Sequence, residues 1–177
     1  MVGDVSAPVV DSDPMVEPVQ LLIVGDGPVA DALTQLVPVL GWAAAVTSGV
    51  ATIGPDIAAV VVTSHHEDVD GPTIRAALAA GTGYVGAMGS RRTQARRREW
   101  LLANGVTEAA LGAVRAPIGL DIGADQPAEI ALSILAEIVG WRSGRLGADS
   151  GALLSIGDRP GPIHPELAPG EATCPGG

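Results

Sequence analysis

Residues 19–30, VQLLIVGDGPVA, run an almost purely apolar stretch into a glycine turn and then into the start of an amphipathic segment. A run as apolar as Val19 to Val24 needs cover on both faces, the situation of a central strand in a parallel sheet. Parallel neighbours are joined by long crossovers, so a chain that opens this way is committed to alternating strands and helices rather than to hairpins. The first crossover follows at once. Val29, Leu33, Leu36, Val37 and Leu40 recur at spacings of three and four, the stripe of a helix over 29–40, and Pro38 is expected to distort its last turn.

The alternation then repeats. Trp42 to Thr47 is expected as a second strand, weakened by three alanines, and Ile57 to Thr63 as a buried third strand. A helix is predicted from Pro72 to Ala80, carrying Ile74, Ala77 and Leu78 and stopped by Gly81, then a short strand ending at Tyr84 to Gly86. The next helix runs to Ala103 and is closed by Asn104 and Gly105. On its wheel Arg98 shares an arc with Ala95, Leu101 and Leu102 while Arg96 faces outward, which predicts a core carboxylate for Arg98. A last helix follows Asp125 or Gln126 as cap, with Pro127 in its first turn and Ile130, Ile134, Leu135 and Ile138 on its buried face. Apolar residues make up 47% of the chain and Phe is absent, so the core must be aliphatic. No repeat of fixed period is present. The fold class expected is α/β, a Rossmann-like three-layer arrangement of a parallel sheet flanked by helices. It occupies residues 18–142, between a flexible segment 1–17 and a flexible Gly/Pro-rich tail 143–177.

The formal charge is −10, yet Arg91, Arg92, Arg96, Arg97 and Arg98 fall within eight positions. One basic spot on an acidic chain suits a small anion and not nucleic acid, which needs an extended positive face. The single cysteine, Cys174, excludes both an intramolecular disulfide and a cysteine zinc cluster. The start of the chain lacks the basic and apolar regions of a secretory signal, and no apolar segment approaches the length of a membrane helix, so a cytoplasmic protein that does not enter membranes is expected.

Three places could bind a ligand. In Gly25-Asp26-Gly27-Pro28-Val29-Ala30 the order strand, G-x-G-x-x-A, helix is that of a nucleotide-binding turn. Gly25 permits the bend, Gly27 leaves room for a diphosphate, and Ala30 lets the helix pack closely on its strand. The alternative is a turn that binds nothing. Asp26 inside the turn and the absence of an acid in Thr47-Ser48-Gly49 both count against NAD(P). His65 and His66 follow the third strand, at the carboxyl end where open α/β sheets hold ligands, and extended chain points the two to opposite sides. A solvent-facing loop is the plainer reading of both. Glu67, Asp68 and Asp70 could meet a cation, but acids there more often stabilise a helix start. Finally, Gly86-Ala87-Met88-Gly89-Ser90-Arg91-Arg92 brings a strand end, a glycine turn, a hydroxyl and two guanidinium groups together at a helix N-terminus, where a phosphate fits; the plainer reading makes Ser90 a simple N-cap. Gly119-Leu120-Asp121-Ile122-Gly123 reads as a structural turn.

Taken in order, GDGPVADAL, VVVTSHHEDVD, YVGAMGSRRTQARR and APIGLDIGADQPAEIALSILAEIV resemble the C-terminal Rossmann-type domain of the XdhC/CoxI family, accessory proteins of xanthine dehydrogenase and carbon monoxide dehydrogenase. The resemblance spans about Leu21 to Gly140. It implies a maturation role without catalysis: binding the molybdenum cofactor, as molybdopterin or its dinucleotide form, protecting it, and passing it in sulfurated form to an apo-hydroxylase in cooperation with a cysteine desulfurase. It also implies that Gly25, Gly27, His65, Gly86, Gly89, Ser90, Arg91 and Asp121 lie at the binding cleft, joined on the residues' own chemistry by Asp26, Ala30 and Arg92.

This sequence departs from the family in three ways. The additional N-terminal domain with its Cys-containing stretch has no counterpart here, so either a separate chain supplies it or the binding function has changed. Asp26 and Pro28 stand where members tend to have a small residue and His, and Ser48 stands where they have an acid. Sulfur transfer through a persulfide would need Cys174, so the chain is expected to hold cofactor rather than to donate sulfur. An NAD(P)-dependent oxidoreductase with His65 as base, a docking remnant without ligand, and pairing of two copies are the alternatives the sequence leaves.

Overall fold

The structure is a computed structural model and describes residues 18–146. The expectations for the two tails and for Cys174 lie outside the described residues, apart from 143–146. Five strands, β1 (Gln20–Val24), β2 (Ala43–Thr47), β3 (Ala59–Val62), β4 (Tyr84–Ala87) and β5 (Val114–Arg115), form one sheet in the order β2-β1-β3-β4-β5, every pair parallel. The helices are α1 (Pro28–Leu36), α2 (Glu67–Ala79), α3 (Arg91–Ala103), α4 (Glu108–Leu111) and α5 (Pro127–Arg142).

Alternate residues of the strands feed opposite faces, as the two-residue period requires. Leu21, Ile23, Ala59 and Val61 join Leu33 of α1 and Ile134 and Ile138 of α5 in one apolar layer. Leu22, Val24, Val60, Val62 and Val85 join Ile74 and Ala77 of α2 and Leu101 of α3 in the other. The result is three layers, α1 and α5 over one face and α2 and α3 over the other. β2 is an edge strand whose side chains are mostly exposed, which is why its alanines gave so faint a pattern. Apolar Val39, Leu40, Leu132 and Val139 are exposed along a groove between the end of α1 and the outer face of α5.

The structure bears out the break at Pro38 and departs from the expected elements elsewhere. Pro38 does end the first helix, as a 3-10 turn over Val37–Leu40. α2 starts five residues before Pro72, because Glu67, Asp68 and Asp70 supply the negative charge that a helix N-terminus favours and Pro72 falls early enough to be accommodated. α4 and β5 had no sequence signal, being four and two residues long. α5 ends at Arg142, and beyond it Gly144 N–H donates to Trp141 O and Arg145 N–H to Gly140 O, closing the last turn.

The chain adds β2 on one side of β1 and then crosses to build β3, β4 and β5 on the other. The crossover opens a crevice beyond the carboxyl ends of β1 and β3, the place where open α/β sheets take ligands.

Candidate functional site

The first wall of this crevice is the turn from β1 to α1. Gly25 has φ +129°, and a Cβ there would lie 2.5 Å from the amide nitrogen of Ser64 and 2.6 Å from Thr63 Oγ1. Its glycine is dictated by the passage of the β3 end, whose Thr63 and Ser64 N–H groups both donate to Val24 O at 2.9 and 3.0 Å. Gly27 differs. Its φ of 90° and ψ of −178° belong to a region essentially reserved for glycine, but a Cβ there would have nothing within 4 Å. Gly27 is the N-cap of α1, no side chain accepts a hydrogen bond from the first turn, and Pro28 brings no N–H of its own. The space beside the Gly27 α-carbon is thus open, and no side chain caps the amides behind it. Asp26 is exposed beside them, and Ala30 is buried where α1 crosses the sheet.

The end of β3 forms the floor. Ser64 Oγ accepts the N–H of His66 at 3.0 Å, and His65 and His66 are both exposed. His65, Glu67, Asp70, Thr93, Arg97 and Trp100 border a cleft between α2 and α3 of about 30 Å³, room for water but not for an organic ligand. No group of three His, Cys, Asp or Glu residues among the described ones could hold a metal ion.

The second wall is the corner from β4 to α3. Ser90 is the N-cap of α3, its Oγ accepting Thr93 N–H at 3.2 Å and standing 3.0 Å from Thr93 Oγ1. The plain capping role is therefore filled, and Arg91 and Arg92 lie exposed in the turn that follows. Among the clustered arginines, Arg96 is tied to Glu67 on the surface, Arg98 to Glu108 on the surface, and Arg97 to Asp70 in the interior. This corrects the wheel reading by one residue. The buried cation is Arg97, at 2.5 Å from Asp70 Oδ2, while Arg98 and Ala95 are exposed; Leu101 and Trp100 mark the true inner face.

Gly86 lies in the body of β4, buried, where a Cβ would come 2.3 Å from Ile118 Cδ1. Ile118, whose N–H donates to Ala87 O at 3.2 Å, explains this glycine by packing. Asp121 stands on the loop from β5 to α5, partly buried, away from the glycine corner in sequence but on the segment that leaves the same edge. The loop is anchored by a group without sequence signal: Glu137, fully buried on α5, accepts from Tyr84 Oη at 2.6 Å and from Gly119 N–H at 2.7 Å. Burial, then the Glu137 carboxylate, raise the Tyr84 pKa far above that of a free tyrosine, so the phenol stays the donor. Only the isolated placement of Glu137 among Leu135, Ala136 and Ile138 could have hinted at it.

β3 alone separates β1 from β4, so the Gly25–Gly27 turn and the Gly89–Arg91 corner leave the same sheet edge roughly 10 Å apart, two strand spacings.

An all-parallel sheet with an open glycine turn at its switch point defines a Rossmann-type domain. The comparisons narrow the class. Residues 21–138 match the XdhC Rossmann domain, and the chain belongs to that family. It is 32% identical over 129 residues to the molybdenum cofactor insertion chaperone PaoD of Escherichia coli (strain K12), covering 70% of this chain and 40% of that protein. It also superposes on the crystal structure of a xanthine dehydrogenase from Bacillus halodurans with a TM-score of 0.58 at 24% identity, over 75% of this chain and 45% of the other, a likeness of fold. The chain thus spans less than half the length of either relative. No helix among the described residues is long and apolar enough to cross a membrane.

Proposed function

We propose that this chain is an accessory protein of a molybdenum enzyme and holds the molybdenum cofactor by its phosphorylated end in the crevice between β1 and β4. One observation carries the reading: no side chain caps the α1 N-terminus, the space in front of Gly27 is open, and the Ser90–Arg91 corner stands two strand spacings away. The likeness to an insertion chaperone supports the same reading.

The residues present fit such a group. The α1 amides and the Gly27 gap suit a phosphate, the Gly89 and Ser90 amides with Arg91 and Arg92 suit a second, and a dinucleotide form would engage both walls. His65 stands on the floor between them. The cofactor supplies its redox chemistry in the recipient enzyme; this chain's residues bind and orient it. A molybdenum hydroxylase apo-enzyme is the recipient, sulfuration falls to a cysteine desulfurase, and a separate chain or second copy supplies what the longer relatives carry in one.

Purification of the full chain from cells making molybdopterin, with molybdenum, pterin fluorescence and nucleotide measured together, tests this. Retained pterin and molybdenum are expected, lost in Gly27→Val and reduced in Arg91→Ala by about 1.5–3 kcal/mol of binding. Nucleotide without pterin would instead indicate NAD(P), and unchanged retention in both variants removes the site.

A further inference from the structure

Behind the β4–α3 corner, three backbone carbonyls in a row are taken by side chains of α3. Gln94 Nε2 donates to Ala87 O and to Gly89 O, both at 3.2 Å, and Arg97 Nη1 donates to Met88 O at 3.0 Å. Gln94 Oε1 in turn accepts from the same Arg97 nitrogen at 2.6 Å, and Arg97 Nη2 is held by Asp70 on α2. Both members of that ion pair are about 95% buried, with side-chain exposures of 5% and 4%.

A trans peptide holds its C=O and N–H antiparallel. When the carbonyls of Met88 and Gly89 are drawn toward α3, the N–H groups of Gly89 and Ser90, in the same two peptide planes, must turn away from it. Neither N–H has an acceptor among the described residues, and the φ of +127° at Gly89 lets the chain make the turn. Of the α3 first-turn amides, that of Thr93 is already taken by Ser90 Oγ.

We infer that Gln94 and Arg97 are positioning residues: they preset the Met88–Ser90 loop so that the Gly89 and Ser90 amides form an anion-binding pair, with Asp70 neutralising the cation that the clamp requires. The inference rests on the binding reading above and deepens it, by assigning the second phosphate contact to loop amides fixed from behind. Gln94 touches no ligand. It acts only through the carbonyls it holds.

Gln94→Glu is the sharp test, because it keeps size and the Arg97 contact but replaces a donor by an acceptor facing two carbonyls. The full chain, labelled with ¹⁵N, is titrated with pyrophosphate and followed by amide shifts. Wild type is expected to shift at Val29 and Ala30 and at Gly89 and Ser90. Gln94→Glu should keep the first pair and lose the second, with affinity about tenfold weaker, the scale of one hydrogen bond to a charged group. Gln94→Leu, which lacks both donor and charge, should do the same, so a repulsive carboxylate is not the cause. Undiminished shifts at Gly89 and Ser90 in both variants overturn the clamp. Absence of all four shifts in wild type overturns the binding reading itself, a distinct result.

Discussion

Two helices begin at the same sheet edge and solve their exposed first-turn amides in opposite ways. α1 starts at Gly27, which has no side chain to offer, followed by a proline; α3 starts at Ser90, whose hydroxyl accepts from Thr93. The first has no side chain for its first-turn amides, and the second satisfies one of them with its own hydroxyl. A serine with two arginines behind a glycine loop reads as a phosphate corner in the sequence, yet its hydroxyl is taken by Thr93, and we assign anion binding there to the loop before the helix. The bare glycine turn is the open end.

The largest effect should come from breaking the support behind the closed end. Asp70→Leu leaves Arg97 buried without its counter-charge, and removal of one partner of a buried pair costs about 3–5 kcal/mol. The urea midpoint is expected to fall accordingly. A change under 1 kcal/mol would mean that water reaches Arg97 and that the corner is not rigidly held.

A paired substitution sharpens the contrast itself. Gly27→Ala places a Cβ in a glycine-only conformation without meeting any atom, so about 1–3 kcal/mol of strain is expected, together with loss of anion binding at α1. Ser90→Ala removes a cap for about 1 kcal/mol and should leave pyrophosphate affinity near wild type, because the hydroxyl faces its own helix. If calorimetric titration found Ser90→Ala the worse binder of the two, the assignment of open and closed ends would be reversed.

The sequence announced the layers and the crevice but misplaced the groups that hold it. Strands β1 and β3 were legible because full burial requires unbroken Val, Ile and Leu, and the α1 turn because only glycine tolerates its geometry. Arg97 was missed by one residue, since α3 has so few apolar positions that its inner face is defined by tertiary partners: Asp70 from α2 and the edge of Trp100 against Gly71. Glu137 and Gln94 were invisible for the same reason. Their meaning comes from Tyr84, Gly119 and three carbonyls remote in sequence, and no local pattern encodes such contacts. Gly86 shows the converse: a glycine inside a motif that reads as a binding loop is there to admit Ile118.

α5 gives a third kind of helix start, and it marks the closed extreme of the series. Glu129 accepts the N–H groups of Asp125 and Gln126, both at 3.0 Å, and these two bonds lower its carboxyl pKa below the ordinary carboxylate value. Because the folded pKa is depressed, the stabilisation is fully present above the unfolded value near 4.5 and is lost as pH falls through the folded value. Glu129 is fully exposed, so solvent screens the effect and it should be the smallest of the set. Glu129→Gln should therefore flatten the acid limb of the stability–pH curve slightly, below pH 4.5 and not above it, and added salt should shrink the difference. A variant whose stability loss relative to wild type stayed undiminished as pH fell well below 4.5 would show that the capping carboxylate acts by something other than its charge. In that case, the ranking of helix starts by how their amides are satisfied would no longer hold for α5.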